Sequence, residues 1–221
     1  MSEAMPLEAE RERVAAAAHR LAAAGLVART AGNVSERAGE QVVITPTGGV
    51  LAELTPEQIS VVDLDGGLVA GELQPTSELD LHLGVYRRYD AGAVVHAHAP
   101  VATALSCVID ELPCVHYEML LLGGTVPVAP YRTFGTPELA DAVLEALDGH
   151  AAALMANHGA IAHGADAEKA VDAMELLEWA ATVYWRARAL GGEVRELDED
   201  ERAAVVAAAV ERGYGETKPA R

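Results

Sequence analysis

Cysteine is scarce in this chain. There are 2 in 221 residues, Cys107 and Cys114, which is too few for a disulfide framework, and their spacing is not that of a CxxC redox pair. Buried free thiols are the expected state. Positive charge is scarce as well: 16 basic residues stand against 34 acidic ones, a formal net charge of −18. Such a surface repels a phosphate backbone, so no nucleic-acid partner is expected. An anionic small substrate would need a locally donor-rich site. Long apolar runs are missing too. Nothing approaches the ~18 consecutive apolar residues that span a membrane, and the alanine-rich stretch 14–28 is broken by His19, Arg20 and Gly25. Residues 1–13 are charged and lack the apolar centre of a signal peptide. A soluble cytoplasmic protein with no membrane partner is the expectation.

What remains is an ordinary globular composition, 51% hydrophobic and 23% charged, long enough to fill one core. A single domain over residues 1–221 is the default. Apolar spacing predicts a helix from Leu7 to Leu26, stopped by Gly25. Residues 30–35 read as a turn-rich loop, and Gln41 to Thr45 as a strand running into a glycine turn at Gly48 and Gly49. Thr55, Pro56 and Gln58 carry the marks of a short capped helix. Ile59 to Leu64 and Leu68 to Ala70 form a hairpin around Asp65-Gly66-Gly67. Ser77 can cap a helix from Glu78 to Tyr89, and Pro100 opens another.

Ala93 to His98, Ala151 to Ala156 and Ala160 to His163 read as strands; Val115 to Tyr117 and Val126 to Pro130 read as shorter ones. Thr136 caps a helix to Leu147. Asp166 caps a long helix with Val171, Met174, Leu177, Ala181 and Tyr184 on one stripe. A last helix runs from Asp198 to Arg212 and is closed by Gly213. Strands and helices alternate irregularly, which fits a single α/β domain with a mixed or antiparallel sheet.

The strand Val94-Val95-His96-Ala97-His98 holds the chemistry. Side chains alternate along a strand, so His96 and His98 project to one face. Two imidazoles there can be hydrogen-bonded core residues or adjacent corners of a metal site. A catalytic zinc site takes three protein ligands and keeps one position open. Of the chain's 8 histidines, His158 is favoured as the third, at the tip of a buried segment and before a glycine. His163 and His116 are its competitors. His19 and His82 lie on helical segments and read as surface or packing residues, and His150 has no evident role.

Glu78 follows Thr76 and Ser77 at a predicted helix start. It is either an ordinary first-turn acid or, beside a metal, a proton carrier tuned by burial. The same helix start offers N–H groups and two hydroxyls to a phosphate. The turns at Gly32-Asn33 and Thr47-Gly48 add donors and allow close backbone approach.

Taken in order, Gly32-Asn33-Val34-Ser35, Ile44-Thr45-Pro46-Thr47-Gly48, Pro75-Thr76-Ser77-Glu78, Val94-Val95-His96-Ala97-His98, Pro113-Cys114-Val115-His116-Tyr117, Thr133-Phe134-Gly135-Thr136 and Asn157-His158-Gly159 resemble the class II aldolase/adducin family over nearly the whole chain. The resemblance implies a three-layer α/β/α fold with a largely antiparallel central sheet. It implies one Zn2+ per subunit on His96, His98 and His158, with Glu78 as catalytic acid/base. Gly32, Asn33, Thr47, Gly48, Thr76 and Ser77 match positions that hold the substrate phosphate. Tyr117 matches a tyrosine that reaches a neighbouring subunit's site, and Phe134 and Tyr214 match residues of the aldehyde side. A homotetramer with sites at subunit interfaces is implied.

The implied reaction is reversible cleavage of a ketose 1-phosphate, such as L-fuculose 1-phosphate or a similar deoxyketulose 1-phosphate, to dihydroxyacetone phosphate and an aldehyde through a metal-stabilised enediolate. A Schiff-base lysine is not needed, and neither Lys169 nor Lys218 lies in a promising motif. One departure is Thr76, where phosphoketose aldolases of this type usually carry a second serine; its hydroxyl is kept and a methyl is added. A 5-deoxyribulose- or 5-methylthioribulose-1-phosphate aldolase or dehydratase shares the same residues. The family's ribulose-5-phosphate 4-epimerases carry aspartate where Glu78 stands, and a non-catalytic adducin-like module would lack the three histidines and the glutamate.

Overall fold

The structure, a computed structural model, describes residues 5–212. Its elements are α1 (Glu8–Ala23), β1 (Asn33–Ala38), β2 (Gln41–Ile44), β3 (Ser60–Asp63), β4 (Leu68–Ala70), α2 (Leu79–Arg88), β5 (Ala93–Ala97), α3 (Pro100–Ser106), β6 (Glu111–Leu112), β7 (Val126–Ala129), α4 (Pro137–Ala146), β8 (Ala152–Met155), β9 (Gly159–Gly164), α5 (Ala167–Ala189) and α6 (Glu199–Arg212). The strands form one nine-stranded sheet in the order β4-β3-β2-β1-β5-β9-β8-β7-β6. Only β7 and β8 run parallel; the other neighbours are antiparallel. The expected three-layer α/β/α architecture is what is found.

Alternation along the strands sends side chains into two cores. Ala93, Val95 and Ala97 of β5 join Val14 of α1, Ala102 of α3 and Val171 and Leu177 of α5 on one face. Val94 joins Leu81 and Val85 of α2 and Leu139 and Val143 of α4 on the other. Both faces of β5 are therefore covered, which is why its sequence is an almost unbroken apolar run. His96 has the parity of Val94 and sits on the α2/α4 face, fully buried.

Several local signals act as expected. Thr136 Oγ1 accepts from Leu139 N at 3.3 Å and Asp166 Oδ1 from Lys169 N at 2.8 Å, each ending an exposed helix start with a side-chain cap. Thr55 and Gln58 close a reciprocal capping box on the short 3-10 turn Pro56–Gln58.

Other expectations are corrected. The predicted loop 30–35 is half strand: β1 starts at Asn33 and pairs with both β2 and β5. Its odd side chains, Asn33 and Ser35, are buried and polar, so the alternation that would mark a strand does not show in hydropathy. The predicted strand Val115 to Tyr117 is instead a link into a 3-10 turn, Tyr117–Leu122, whose first N–H groups are capped by the His116 ring accepting from Glu118 N. Ser77 does not cap α2; that helix begins one residue later, with Glu78 in the cap position and no side-chain cap bond. Both cysteines are free as expected, yet only Cys114 is buried and Cys107 is exposed. Gly213 and Tyr214 lie outside the described residues. Among the described residues no helix is long and apolar enough to cross a membrane.

Candidate metal centre and cavity

Sheet register assembles the site. In the β1–β5 ladder Asn33 lies opposite His96, and in the β5–β9 ladder His96 lies opposite Ile161 and Ala97 opposite Ala160. The tight turn from β8 to β9 thus hangs beside the end of β5. Asn157 takes a left-handed conformation there, φ 56°, a region that asparagine tolerates better than most residues. Gly159 has no space for a side chain: a Cβ would lie 2.6 Å from Ala97 O and 3.0 Å from His98 Cδ2. This packing brings His158 against the β5 pair. The ring centroids of His96, His98 and His158 are 4.9 to 5.2 Å apart, and one nitrogen from each lies within 4.8 Å of the others. His163 is elsewhere, stacked on Tyr89, and His116 caps its own turn.

Glu78 completes the cluster. Its Oε2 is 3.2 Å from His96 Nε2 and its Oε1 3.4 Å from His158 Nε2. His96 Nδ1 donates to Ala160 O at 2.9 Å, so in the neutral ring Nε2 carries the lone pair. That lone pair and Glu78 Oε1 are both buried and without a hydrogen-bond partner. Buried polar atoms are rarely left so. A cation among the three imidazoles would satisfy the His96 lone pair, and a set of three ring nitrogens suits zinc or its near neighbours. The ring tautomer of His96 is held by the carbonyl behind it, the usual outer support of a metal-binding histidine.

The titrations follow from burial. Burial pushes His98 down to about 4 and also lowers His158, which keeps both imidazoles neutral at pH 7. Burial would raise the Glu78 carboxyl, but the His96 ring and the Asn33 amide outweigh it and hold the group below its ordinary value. His82, fully buried, is pushed down to about 3 by desolvation.

His82 carries a stability consequence. Above pH 6.5 the ring is neutral folded or unfolded and its contribution is intact. As pH falls from 6.5 toward 3, the unfolded chain takes up a proton that the folded one refuses, so stability drops. The slope for one such group is up to about 1.4 kcal/mol per pH unit. Thermal melts from pH 7 to pH 4 are expected to show this loss, and His82→Gln, which cannot protonate, to show a shallower one. Equal slopes would exclude His82 as the acid-sensitive group.

A cavity of about 280 Å³ opens in front of the cluster. Gly32, Asn33, Thr47, Gly48, Thr76, Ser77, Glu78, Phe134, His98 and His158 all line it. His96 lies behind the wall. Gly32 is required by its backbone, φ +86°, and by Val27 and the His96 carbonyl 2.8 and 3.0 Å from where a Cβ would be. Asn33 lines the cavity, but its amide is committed: Nδ2 donates to Glu78 Oε2 at 2.9 Å and Oδ1 bonds the His82 ring. Thr76 Oγ1 accepts from Glu78 N at 3.3 Å, which fixes the backbone where Glu78 leaves the strand bridge for α2.

Sequence reasoning missed three features here. Tyr131 and Arg132 line the cavity, and Arg132 is the sole permanently cationic side chain among its described lining residues. The spacing to Phe134 in a short polar loop offered no periodic signal for them. His82, expected as a surface or packing residue, is fully buried, and its ring links the cavity wall to Ser35. Tyr117 does not line this cavity. It is 40% exposed and borders a separate groove with Val205, Ala208 and Ala209 of α6.

Comparison with known proteins places the fold. Residues 12–185 match the Class II Aldolase and Adducin N-terminal domain. The chain is 40% identical over 200 residues to a 5-deoxy-D-ribulose 1-phosphate aldolase of Bacillus thuringiensis, covering 89% of this chain and 93% of that one. It is 40% identical over 184 residues to the L-fuculose phosphate aldolase of Escherichia coli K12, covering 82% and 85%. A solved L-fuculose 1-phosphate aldolase superposes with a TM-score of 0.88 at 33% identity, over 92% of this chain and 97% of that one. With this fold and these relatives the chain belongs to the class II aldolase and adducin family, and within it to the aldolases, which are aldehyde-lyases.

Proposed function

We propose that the protein is a zinc-dependent aldolase that reversibly cleaves a ketose 1-phosphate to dihydroxyacetone phosphate and an aldehyde. The observation that carries this reading is the meeting of Glu78 with three imidazoles beside a donor-rich cavity. His96, His98 and His158 would hold the ion, and Zn2+ there would supply an electrophile that stabilises negative charge developing on the substrate. Glu78 protonates the enediolate carbon in cleavage and removes that proton in synthesis. Hydroxyls of Thr47, Thr76 and Ser77, with backbone N–H groups at Gly32 and Gly48, receive the phosphate, and Arg132 offsets the chain's overall negative field. Phe134 packs the aldehyde end, the side to which the family resemblance also assigns Tyr214. Tyr117, exposed and away from its own cavity, is supplied to a neighbouring subunit's site in a homotetramer, where it handles the proton of the hydroxyl whose bond breaks. The chain acts as one domain in the cytoplasm.

The name of the Bacillus relative favours a 5-deoxyribulose 1-phosphate substrate as strongly as the enterobacterial name favours L-fuculose 1-phosphate. A panel of 1-phosphoketoses separates them. We expect dihydroxyacetone phosphate release from at least one, with kcat/KM for the preferred substrate at least about 10-fold above the next. Water loss without carbon–carbon cleavage would identify a dehydratase instead. Release from none would remove the aldolase assignment for this chain.

A further inference from the structure

Behind the cavity a polar chain runs through the core to Glu78. Tyr86 Oη and Ser35 Oγ are 2.7 Å apart, and Ser35 Oγ is 2.7 Å from His82 Nδ1. His82 Nε2 bonds Asn33 Oδ1, and Asn33 Nδ2 donates to Glu78 Oε2 at 2.9 Å. All five residues are at most 7% exposed. Nothing in the proposed reaction uses His82, Ser35 or Tyr86 directly. A chain of buried polar groups is costly to assemble unless its members are satisfied; here Tyr86, Ser35, His82 and Asn33 are all paired, and the one atom left over is Glu78 Oε1.

The direction of each bond follows from its end. An ionised carboxylate only accepts, so the Asn33 amide must turn its NH2 to Glu78. Its Oδ1 then faces His82 and must accept, which puts the ring hydrogen on Nε2. The neutral ring accepts at Nδ1 from the Ser35 hydroxyl, and the Ser35 oxygen accepts from Tyr86. Every donor in the chain points toward Glu78. Without the Nε2–H the Asn33 amide could flip, and its carbonyl would then oppose the carboxylate.

We propose that His82 is a positioning residue for proton transfer at Glu78: it locks the Asn33 amide onto Oε2 and leaves Oε1, the oxygen with no hydrogen bond of its own, to exchange the substrate proton. This inference rests on Glu78 being the proton carrier. It is distinct from phosphate binding, because Asn33's side chain is turned inward from the cavity to the carboxylate. The unidirectional chain also explains why β1 buries Asn33 and Ser35 where apolar residues would pack as well.

The test uses two amides of different reach. In His82→Gln the Nε2H2 group stands near the position of the imidazole Nε2 and can still donate to Asn33. In His82→Asn the shorter amide can bond Ser35 but cannot reach Asn33. Both variants remain polar, and thermal melts of each separate a loss of folding from a loss of proton transfer. The readout is solvent deuterium exchange into dihydroxyacetone phosphate in the zinc-loaded full-length enzyme, followed by NMR, alongside kcat, KM and bound zinc. We expect His82→Asn to lose exchange and kcat by about 30-fold, within the range of a misplaced acid–base group, with KM within threefold and zinc retained. His82→Gln is expected to stay within about threefold of the parent. Equal rates in the two variants would overturn the inference. Glu78→Gln serves as reference: exchange surviving there would overturn the role of Glu78 and this inference together, whereas exchange lost there with equal Asn and Gln rates removes this inference alone.

Discussion

Replacing His96 with alanine is expected to remove aldol cleavage almost entirely, by about 10⁴-fold in kcat/KM. Loss of Lewis-acid stabilisation is worth several kcal/mol, and each 1.36 kcal/mol is tenfold in rate. The residue is fully buried and its Nε2 has no hydrogen-bond partner, so the lone pair it would offer an ion is not committed elsewhere. Two imidazoles would remain, below the three that a catalytic site normally uses. Bound zinc should fall well under one per chain by elemental analysis. Chelation of the parent protein should give the same loss and be reversed by added Zn2+, which separates the metal's part from any damage done by the cavity. Full activity in the chelated parent would refute metal dependence.

The second large effect is expected for Glu78→Gln. The substitution keeps the shape of the side chain and an oxygen that can accept from Asn33, and it leaves the three imidazoles in place. What it removes is the ability to carry a proton. General acid–base groups contribute 10²–10⁴ in rate, so kcat should drop by about 10³ while zinc content stays near one per chain. Because the parent carboxyl is held below its ordinary value by the His96 ring and the Asn33 amide against the pull of burial, it is ionised at pH 7 and ready to abstract the proton in the synthesis direction. Deuterium exchange into dihydroxyacetone phosphate isolates that half of the reaction from the aldehyde. Retention of exchange with kcat lost would place the proton transfer on another group.

The pair of variants therefore tests two separable things, the electrophile and the base. His96→Ala should lose metal and rate together. Glu78→Gln should lose rate and keep metal.

Much of the fold was legible because its signals are local. The glycine turn between β3 and β4, the caps at Thr136 and Asp166, and the apolar run of β5 each depend on a few adjacent residues. The loop assigned to residues 30–35 failed for a physical reason: the inward face of β1 is polar, since Asn33 and Ser35 are buried for hydrogen bonding. Hydropathy has no pattern for a strand of that kind. The strand assigned to Val115 to Tyr117 failed because the backbone there turns under the His116 ring, a cap that spacing does not announce. Arg132 and His82 were missed because each becomes meaningful only beside groups far along the chain.

From the sequence alone came the face shared by His96 and His98, the family resemblance, and the dispensability of a Schiff-base lysine. Alternation along a strand is a property of the backbone itself, so two histidines two residues apart can be placed without knowing their neighbours. The tertiary structure decided which histidine joins them, where Glu78 aims, and that a buried imidazole is linked to the carboxylate through Asn33. Those outcomes depend on the register that sets Asn33 opposite His96 and on the turn that carries His158 to the end of β5. Register and turn placement arise from packing between distant segments, and no local pattern contains them.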